Sequence, residues 1–459
     1  MNFLNNTQID SMLTKSKEHN PNYLAKIVRI DNLKPIEGAD RIQIAVVDFQ
    51  DVIVSKETMV GDIMVYFPIE CQINKEFLSF TNTFRNPELN QDKEAKGFFE
   101  ENARVRAMKM MKGKVRSMGY LVPSLTVYEW SGDVNVIQNK NVGQEFDTIN
   151  NKLLLKKYVV KTRENNNSKQ PKKPKVSRII DGQVHLHQDT ENLRRNSDKI
   201  SPNDTISITY KTHGTSWWVS NVLVKRRLSW LERLSKKLGL GIQDTKYDLV
   251  YGSRRVVKNK EMEDPKAKDH FFGYDLWEDI KNEVGDKIPK GYTLYGEMLG
   301  YDKNGAAIQK NYDYGCKFND PYTKNGVRIF PNHKLEVYRI TNTNPDGLVT
   351  ELSYPEIVEF CERAGLTPPH LFYYGQARDL YDIGTMDEEY WRETFIRKLE
   401  ETYNEKDCFM CKNTVPEEGI VVRKEKLFEF EAYKLKSFRF LEHETKQLDK
   451  GETNIEDNE

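Results

Sequence analysis

The stretch Thr205–Ser216, TISITYKTHGTS, sets a lysine where it could react. Ile206, Ile208 and Tyr210 alternate with polar residues, so a strand leads up to Lys211. Gly214 permits a tight turn before WWVSNVLV resumes as a strand, which predicts Lys211 at the mouth of a hairpin. To act as a nucleophile its amine must be neutral. An unperturbed lysine, with a pKa near ~10.4, is nearly all protonated at neutral pH, and nearby cations would disfavour that charge. A lone K-x-x-G carries almost no information; its value depends on the segments downstream of it. The first of these is YGSRRVVKN, with Arg254 and Arg255 after a strand, and the second is YTLYGEMLG, whose Glu297 ends a strand beside a glycine. KLEVYRIT holds Tyr338 in a strand, and EEGIVVRKE, with Glu418, precedes FEFEAYKLKS. In that last segment alternation puts Phe428, Phe430, Ala432, Lys434 and Lys436 on one face, so an apolar face ending in two lysines runs from a core into an anionic pocket.

These residues need scaffolds, and 459 residues suggest two or three domains. Residues 1–160 read as β-rich, with strands at Tyr23–Ile30, Ile42–Asp48, Asp51–Ser55 and Asp62–Phe67 separated by Gly/Asp turns, the pattern of a small barrel. Arg104–Pro123 carries six Lys/Arg in its first thirteen residues and reads as a strand pair whose basic face either is solvated or meets nucleic-acid phosphates. Residues 161–178, KTRENNNSKQPKKPKVSR, form a basic linker. Residues 179–440 mix strands with helices at His270–Val284, Glu356–Ala364 and Asp387–Tyr403; Lys225–Lys237 places Leu228, Leu231 and Leu234 on one stripe and reads as a packed surface helix. Residues 441–459, with seven acids and two lysines, read as a solvated acidic tail. The fold class is α+β.

Formal net charge is zero, which leaves room for a nucleic-acid partner because local basic faces do the attracting. Five scattered cysteines read as reduced thiols, and Cys408 and Cys411 form a lone C-x-x-C with no second pair to complete a zinc site. No apolar run reaches membrane-span length, and the N-terminal MNFLNNTQIDSMLTKS lacks a signal peptide's apolar stretch. The expectation is a soluble, cytoplasmic monomer (host cytoplasm if the source is viral) without a membrane partner.

The segments together resemble the ordered motifs of covalent nucleotidyltransferases, the superfamily of nucleic-acid ligases and mRNA capping enzymes: K-x-D/H-G, an arginine motif, G-E, an aromatic strand, E-G and K-x-K. Taken singly, Glu297 and Glu418 read as surface carboxylates, Tyr338 as a core aromatic, and Lys434 and Lys436 as solvated; their joint order around one Lys–Gly turn points to a site. K-x-H-G-T resembles the nick-sealing, ATP-dependent RNA ligases, and an N-terminal OB-like barrel before the transferase domain resembles the Deinococcus-type RNA ligases most. The resemblance covers residues 179–440 and implies antiparallel, ATP-grasp-like sheets with helices. It implies that Lys211 takes AMP from ATP, with Lys434 and Lys436 on the α-phosphate. It implies ribose contact by Glu297, adenine stacking by Tyr338, nucleotide or 5′-phosphate contact by Arg254 (or Arg255), and nucleotide-pocket positions for His213 and Gly214. Glu418 would hold Mg²⁺, or Mn²⁺ in its place. The implied activity joins 3′-OH and 5′-phosphate ends in nicked RNA or RNA–DNA duplexes through lysine–AMP and AMP-capped nucleic-acid intermediates, as in RNA repair.

The sequence departs from the family pattern in two places. Tyr210 stands where many relatives have Glu, which puts part of the adenine contact in doubt, and Ser216 stands where many have Asn. His185 and His187, an H-x-H, lie in a stretch like the one leading into the nucleophile motif and read as structural or substrate-proximal. The alternatives are a DNA ligase, a GTP-using capping enzyme, or a decayed nucleic-acid-binding protein. The first two normally carry an OB domain after K-x-K, whereas 23 largely acidic residues come after Lys436 here, and the intact Lys211, Glu297, Glu418, Lys434 and Lys436 argue against decay.

Overall fold

The computed structural model describes residues 13–113, 115–132, 141–160, 178–258, 274–317, 322–324, 327–329, 331–384 and 387–452. Residues 161–177 of the expected linker and 453–459 of the expected tail lie outside these. The chain divides into two compact units, Met1–Lys161 with Leu441–Glu452, and Thr162–Phe440 with Thr453–Glu459.

In the first unit, a four-stranded sheet orders Tyr120–Pro123, Ile63–Phe67, Ala25–Arg29 and Glu145–Phe146, and a three-stranded sheet orders Leu33–Pro35, Ile42–Val47 and Gln50–Ser55. Alternate side chains of the same strands feed two cores: Ile27, Val65 and Phe67 enter one, Val28, Met64 and Tyr66 the other. Each of the four strands expected near the N-terminus is present, within two residues at either end.

The basic segment and the acidic C-terminus both differ from expectation. Phe438–Asp449 is a helix. Within the first unit, Arg104 is fully buried, donating to Glu70 at 2.9 Å, to the Thr445 carbonyl at 3.1 Å and to Asp449. Arg106 pairs with Asp449 at 3.3 Å and Lys109 with Glu442 at 2.6 Å. Residues expected to be a solvated tail thus neutralise cations that the sequence left either solvated or facing phosphates. The strand pair itself forms, as Met108–Met110 against Val115–Ser117, with Lys112 and Arg116 exposed. Removing one member of a buried ion pair leaves an uncompensated charge. Arg104→Leu is therefore expected to destabilise this unit by roughly 3–5 kcal/mol, read as a lower urea midpoint. The added change Glu70→Leu should recover much of the loss. An unchanged midpoint in the single variant would show that the pair contributes nothing.

The second unit is built on two five-stranded sheets. The first orders Glu191–Asn192, Glu431–Lys436, Gly419–Lys424, Thr205–Tyr210 and Leu371–Gln376. The second orders Thr245–Gly252, Thr215–Lys225, Tyr292–Gly300, His333–Thr343 and Val349–Glu351. All pairings are antiparallel except that of Glu191–Asn192. Trp217, Leu294, Met298 and Val337 of the second sheet pack against Trp277 and Ile280 of helix Leu276–Val284 and Ile357 and Phe360 of helix Tyr354–Ala364. Both helices have local start signals: Asp275 accepts from the Glu278 amide, and Ser353 with Glu356 forms a capping box. The α+β class stands.

Lys225–Lys237 departs from its reading. Strand Thr215–Lys225 continues to Lys225, and helix Trp230–Lys237 comes after it without a single buried residue.

Candidate active site

Lys211 does not sit in a hairpin. Strand Thr205–Tyr210 pairs with Leu371–Gln376 and Gly419–Lys424, while Thr215–Lys225 pairs with Thr245–Gly252 and Tyr292–Gly300. The four residues Lys211–Gly214 therefore carry the chain from one sheet to the other, and every one of them is tied down. The Lys211 amide donates to the Gly419 carbonyl at 2.9 Å. Thr212 Oγ1 donates to Glu336 Oε1 at 2.9 Å, the His213 amide to the Tyr314 hydroxyl at 2.8 Å, and the Gly214 amide to Glu297 Oε1 at 3.1 Å. Gly214 is needed for close approach, not for a left-handed turn: a Cβ there would lie 2.3 Å from the Met298 carbonyl oxygen.

The charges converge on Glu418. Lys211 Nζ lies 2.8 Å and Lys436 Nζ 3.4 Å from its Oε1, and His213 Nδ1 lies 3.5 Å from its Oε2. Burial of this carboxyl works against its ionisation, but Lys211, Lys436 and His213 outweigh it and hold the pKa at about 2. The amine of Lys211 thus has an anion beside it as well as the cations that the sequence suggested. Strands Gly419–Lys424 and Glu431–Lys436 bring these groups together, with Gly419 opposite Lys436 and Val421 opposite Lys434. Burial, then Lys436, Arg254 and Lys211, push the Lys434 ammonium down to about 7.

Glu297 accepts from the loop's backbone, and its second oxygen accepts from Ser216 Oγ at 3.2 Å. Directly opposite Glu297 across the sheet stands Glu336, buried beneath Thr212; burial, only partly offset by Thr212 and Lys211, raises its pKa to about 7. Tyr338 sits where the pairing of His333–Thr343 with Tyr292–Gly300 skips a residue, a bulge that re-aims a side chain. Its hydroxyl lies 2.9 Å from His187 Nδ1, and His187 Nε2 lies 3.8 Å from Asp189. Asp189 accepts from Arg254 Nε at 2.8 Å and pairs with Arg255 at 3.4 Å. Burial opposes ionisation of Asp189, and Arg254, His187 and Arg255 together hold it below the usual carboxylate range. Arg254 is 12% exposed and its charge contributes to the lowered pKa of Lys434, whereas Arg255 is 53% exposed.

Apart from Glu297, which accepts from the Gly214 amide, and Lys434, the sequence-predicted residues form two groups. Lys211, His213, Lys436 and Glu418 touch directly. Tyr338 and Arg254 are joined by His187, which the sequence suggested as structural or substrate-proximal, and by Asp189, which sequence reading did not single out. It also missed Glu336, although alternation in KLEVYRIT puts Glu336 on the face of Tyr338. Among the described residues no group of three His, Cys, Asp or Glu could hold a metal by itself. Glu418 Oε2 and His213 Nδ1 face each other at 3.5 Å and, among the described residues, have no hydrogen-bond partner. A lone carboxylate oxygen fits a cation that keeps most of its waters and takes further oxygens from phosphate.

Two antiparallel sheets with a tethered lysine loop between them, in a chain that begins with a small β-barrel unit, define a class, and the sequence agrees with it. The chain belongs to the RNA ligase family, whose model matches residues 204–438. Residues 24–124 match an OB-fold domain. Solved structures of Naegleria gruberi RNA ligase share the fold. A mutant with ATP and Mn aligns with TM-score 0.55 at 14% identity, over 93% of this chain and 99% of that chain. The same ligase with PPi aligns with TM-score 0.54 at 15% identity, over 92% and 99%. An apo mutant gives 0.56 at 14%, over 93% and 99%. No curated protein matches the chain in sequence.

Proposed function

We propose that the protein is an ATP-dependent RNA ligase that seals nicks in duplex RNA or RNA–DNA hybrid. The observation that carries the reading is the meeting of Lys211, Lys436 and His213 on one buried, ionised Glu418, with Lys434 close by. The Lys211 amine loses its proton and attacks the α-phosphorus of ATP; a P–N bond forms, the bond to the β-phosphate oxygen breaks, and pyrophosphate leaves. A 5′-phosphate oxygen then attacks the lysine-bound AMP, the P–N bond breaks, and an AMP-capped end results. A 3′-hydroxyl attacks the capped phosphorus and AMP leaves. Lys434 and Lys436 neutralise the α-phosphate as charge develops. Glu297 meets the ribose hydroxyls, Tyr338 stacks on adenine, and His213 and Gly214 shape the nucleotide pocket beside Arg254. Glu418 would hold Mg²⁺ or Mn²⁺, which would supply further neutralisation of phosphate charge.

Incubation with radiolabelled ATP and Mg²⁺ should give a covalently labelled protein; absence of label, or preference for GTP, would remove the reading. A panel of nicked duplexes with RNA or DNA on either side then assigns the substrate.

Lys434 supplies a prediction of its own. Its folded pKa of about 7 lies below the ordinary lysine range. Below pH 7 the group is charged in both folded and unfolded chains, and its cost to the fold is fully present. Between pH 7 and the ordinary range the unfolded chain holds a proton that the folded one lacks, so stability from this group rises with pH. An anionic ligand reverses the shift. Pyrophosphate binding at a pH above 7 is expected to take up about one proton, read by calorimetry in buffers of different ionisation enthalpy. Lys434→Met should remove that uptake, and buffer-independent heats for the unmodified protein would contradict it.

A further inference from the structure

The insert Arg226–Asp244 between two strands of the second sheet holds an apolar surface that nothing in the site requires. Trp230, Leu231, Leu234, Leu238 and Leu240 are 72%, 56%, 49%, 72% and 58% exposed. At helical spacing, Trp230, Leu231, Leu234 and Leu238 cover a single arc of about 100°. Lys236 lies opposite this arc, Arg233 on its flank, and Lys237 at its border beside Trp230. The insert carries more basic than acidic residues, and its two acids, Glu232 and Asp244, are already used. Glu232 caps the helix and pairs with Arg226, and Asp244 pairs with Lys236. Arg227, Arg233 and Lys237 make no ion pair among the described residues. The helix itself is well specified, by a capping box of Ser229 and Glu232 and by lysines in its last turn. It is built to exist, yet it buries nothing.

We propose that this helix docks the protein on an anionic lipid surface, lying in the interface with its leucines and Trp230 among the acyl chains and its basic side chains at the headgroups. Basic residues opposite and along the border of a Trp/Leu arc, on a helix that is not a span, are the pattern of an interfacial helix. Nucleic acid would engage the basic side chains but gives the leucines nothing to bury against. A protein groove would need a fixed complement, whereas the apolar set continues past the helix through Gly239 and Gly241, both with open space around them. A fluid interface tolerates that variation. No described helix is long and apolar enough to cross a membrane, and lying on one is a separate property.

The test is co-sedimentation of the full-length protein with phosphatidylcholine vesicles, with and without phosphatidylserine. The protein is expected to sediment with the anionic vesicles and to be released by salt. Leu231→Glu with Leu234→Glu should reduce binding to the level seen with phosphatidylcholine alone. Arg227→Gln, Arg233→Gln and Lys237→Gln together should weaken binding on the order of 100-fold, since each basic group near such a surface adds comparably. Circular dichroism melts matching the unmodified protein would show both variants folded. Equal binding to the two vesicle types overturns the proposal, as does full binding by the leucine variant. So does an unbound protein whose variants instead lose affinity for RNA or change oligomeric state.

Discussion

Alanine at position 211 is expected to abolish covalent labelling by ATP outright. The loop holding this amine is fixed at each of its four residues, by Gly419 of one sheet, Glu336 and Glu297 of the other, and Tyr314. The substitution removes the side chain and leaves the main-chain tether to Gly419 intact, so the variant should fold. That permits a sharper test than loss of activity alone. Transfer of AMP to the enzyme and then to the nucleic acid needs the amine, but attack of a 3′-hydroxyl on an end already capped with AMP does not. The Lys211→Ala protein should therefore fail with ATP and a plain nick yet still join a pre-capped one, more slowly for want of a nearby positive charge. Undiminished labelling of this variant would refute the assignment of the nucleophile. Failure on the pre-capped nick, with a normal melting curve, would instead mean that the lysine serves the last step too.

Glu418→Gln should cost sealing about 100- to 1000-fold, the scale of losing one preorganised charge from a water-poor site. The change is nearly isosteric, so the effect is electrostatic. Glu418 is ionised at any ordinary pH because its pKa is held at about 2. The amide would leave Lys211 and Lys436 facing each other with no anion between them. The fold should feel the same change, by roughly 3 kcal/mol, as expected when one member of a buried pair is removed. Glu418→Asp keeps the charge and should restore stability better than rate, since the shorter side chain cannot reach the same oxygen position. A Gln variant within about threefold of the unmodified rate would show that Glu418 is structural only.

Much of the candidate site was legible because its groups lie in short, ordered segments whose residue types suit the proposed chemistry: the lysine before a glycine, Glu297 in a strand, Glu418 before a strand, and two lysines on one face. What stayed hidden depends on contacts between distant strands. Two strands separated by four residues, the last a glycine, look like a hairpin, yet here they enter different sheets, and the pattern of alternation is the same in either case. Glu336 matters because Thr212 lies above it, and Asp189 because two arginines from residues 254 and 255 arrive beside it. Neither partnership is written in local spacing. The stripe of helix Trp230–Lys237 and the acids after Leu441 mislead in opposite directions. An amphipathic pattern predicts burial without saying against what, and an acidic run predicts solvation unless buried arginines such as Arg104 need partners.

Lys434 and Lys436 lie on one β-ribbon, Gly419–Lys424 paired with Glu431–Lys436, and Glu418 stands immediately before its first strand. Side chains on a strand point to alternate sides, so deleting one residue anywhere between Glu431 and Lys434 would flip both lysines to the opposite face at a stroke. Lengthening the chain at the tip, where Leu427 and Phe428 are 56% and 66% exposed, would leave the register untouched. Sequence drift in this family should therefore accumulate insertions and deletions at the ribbon's tip, while its two rails keep a constant length.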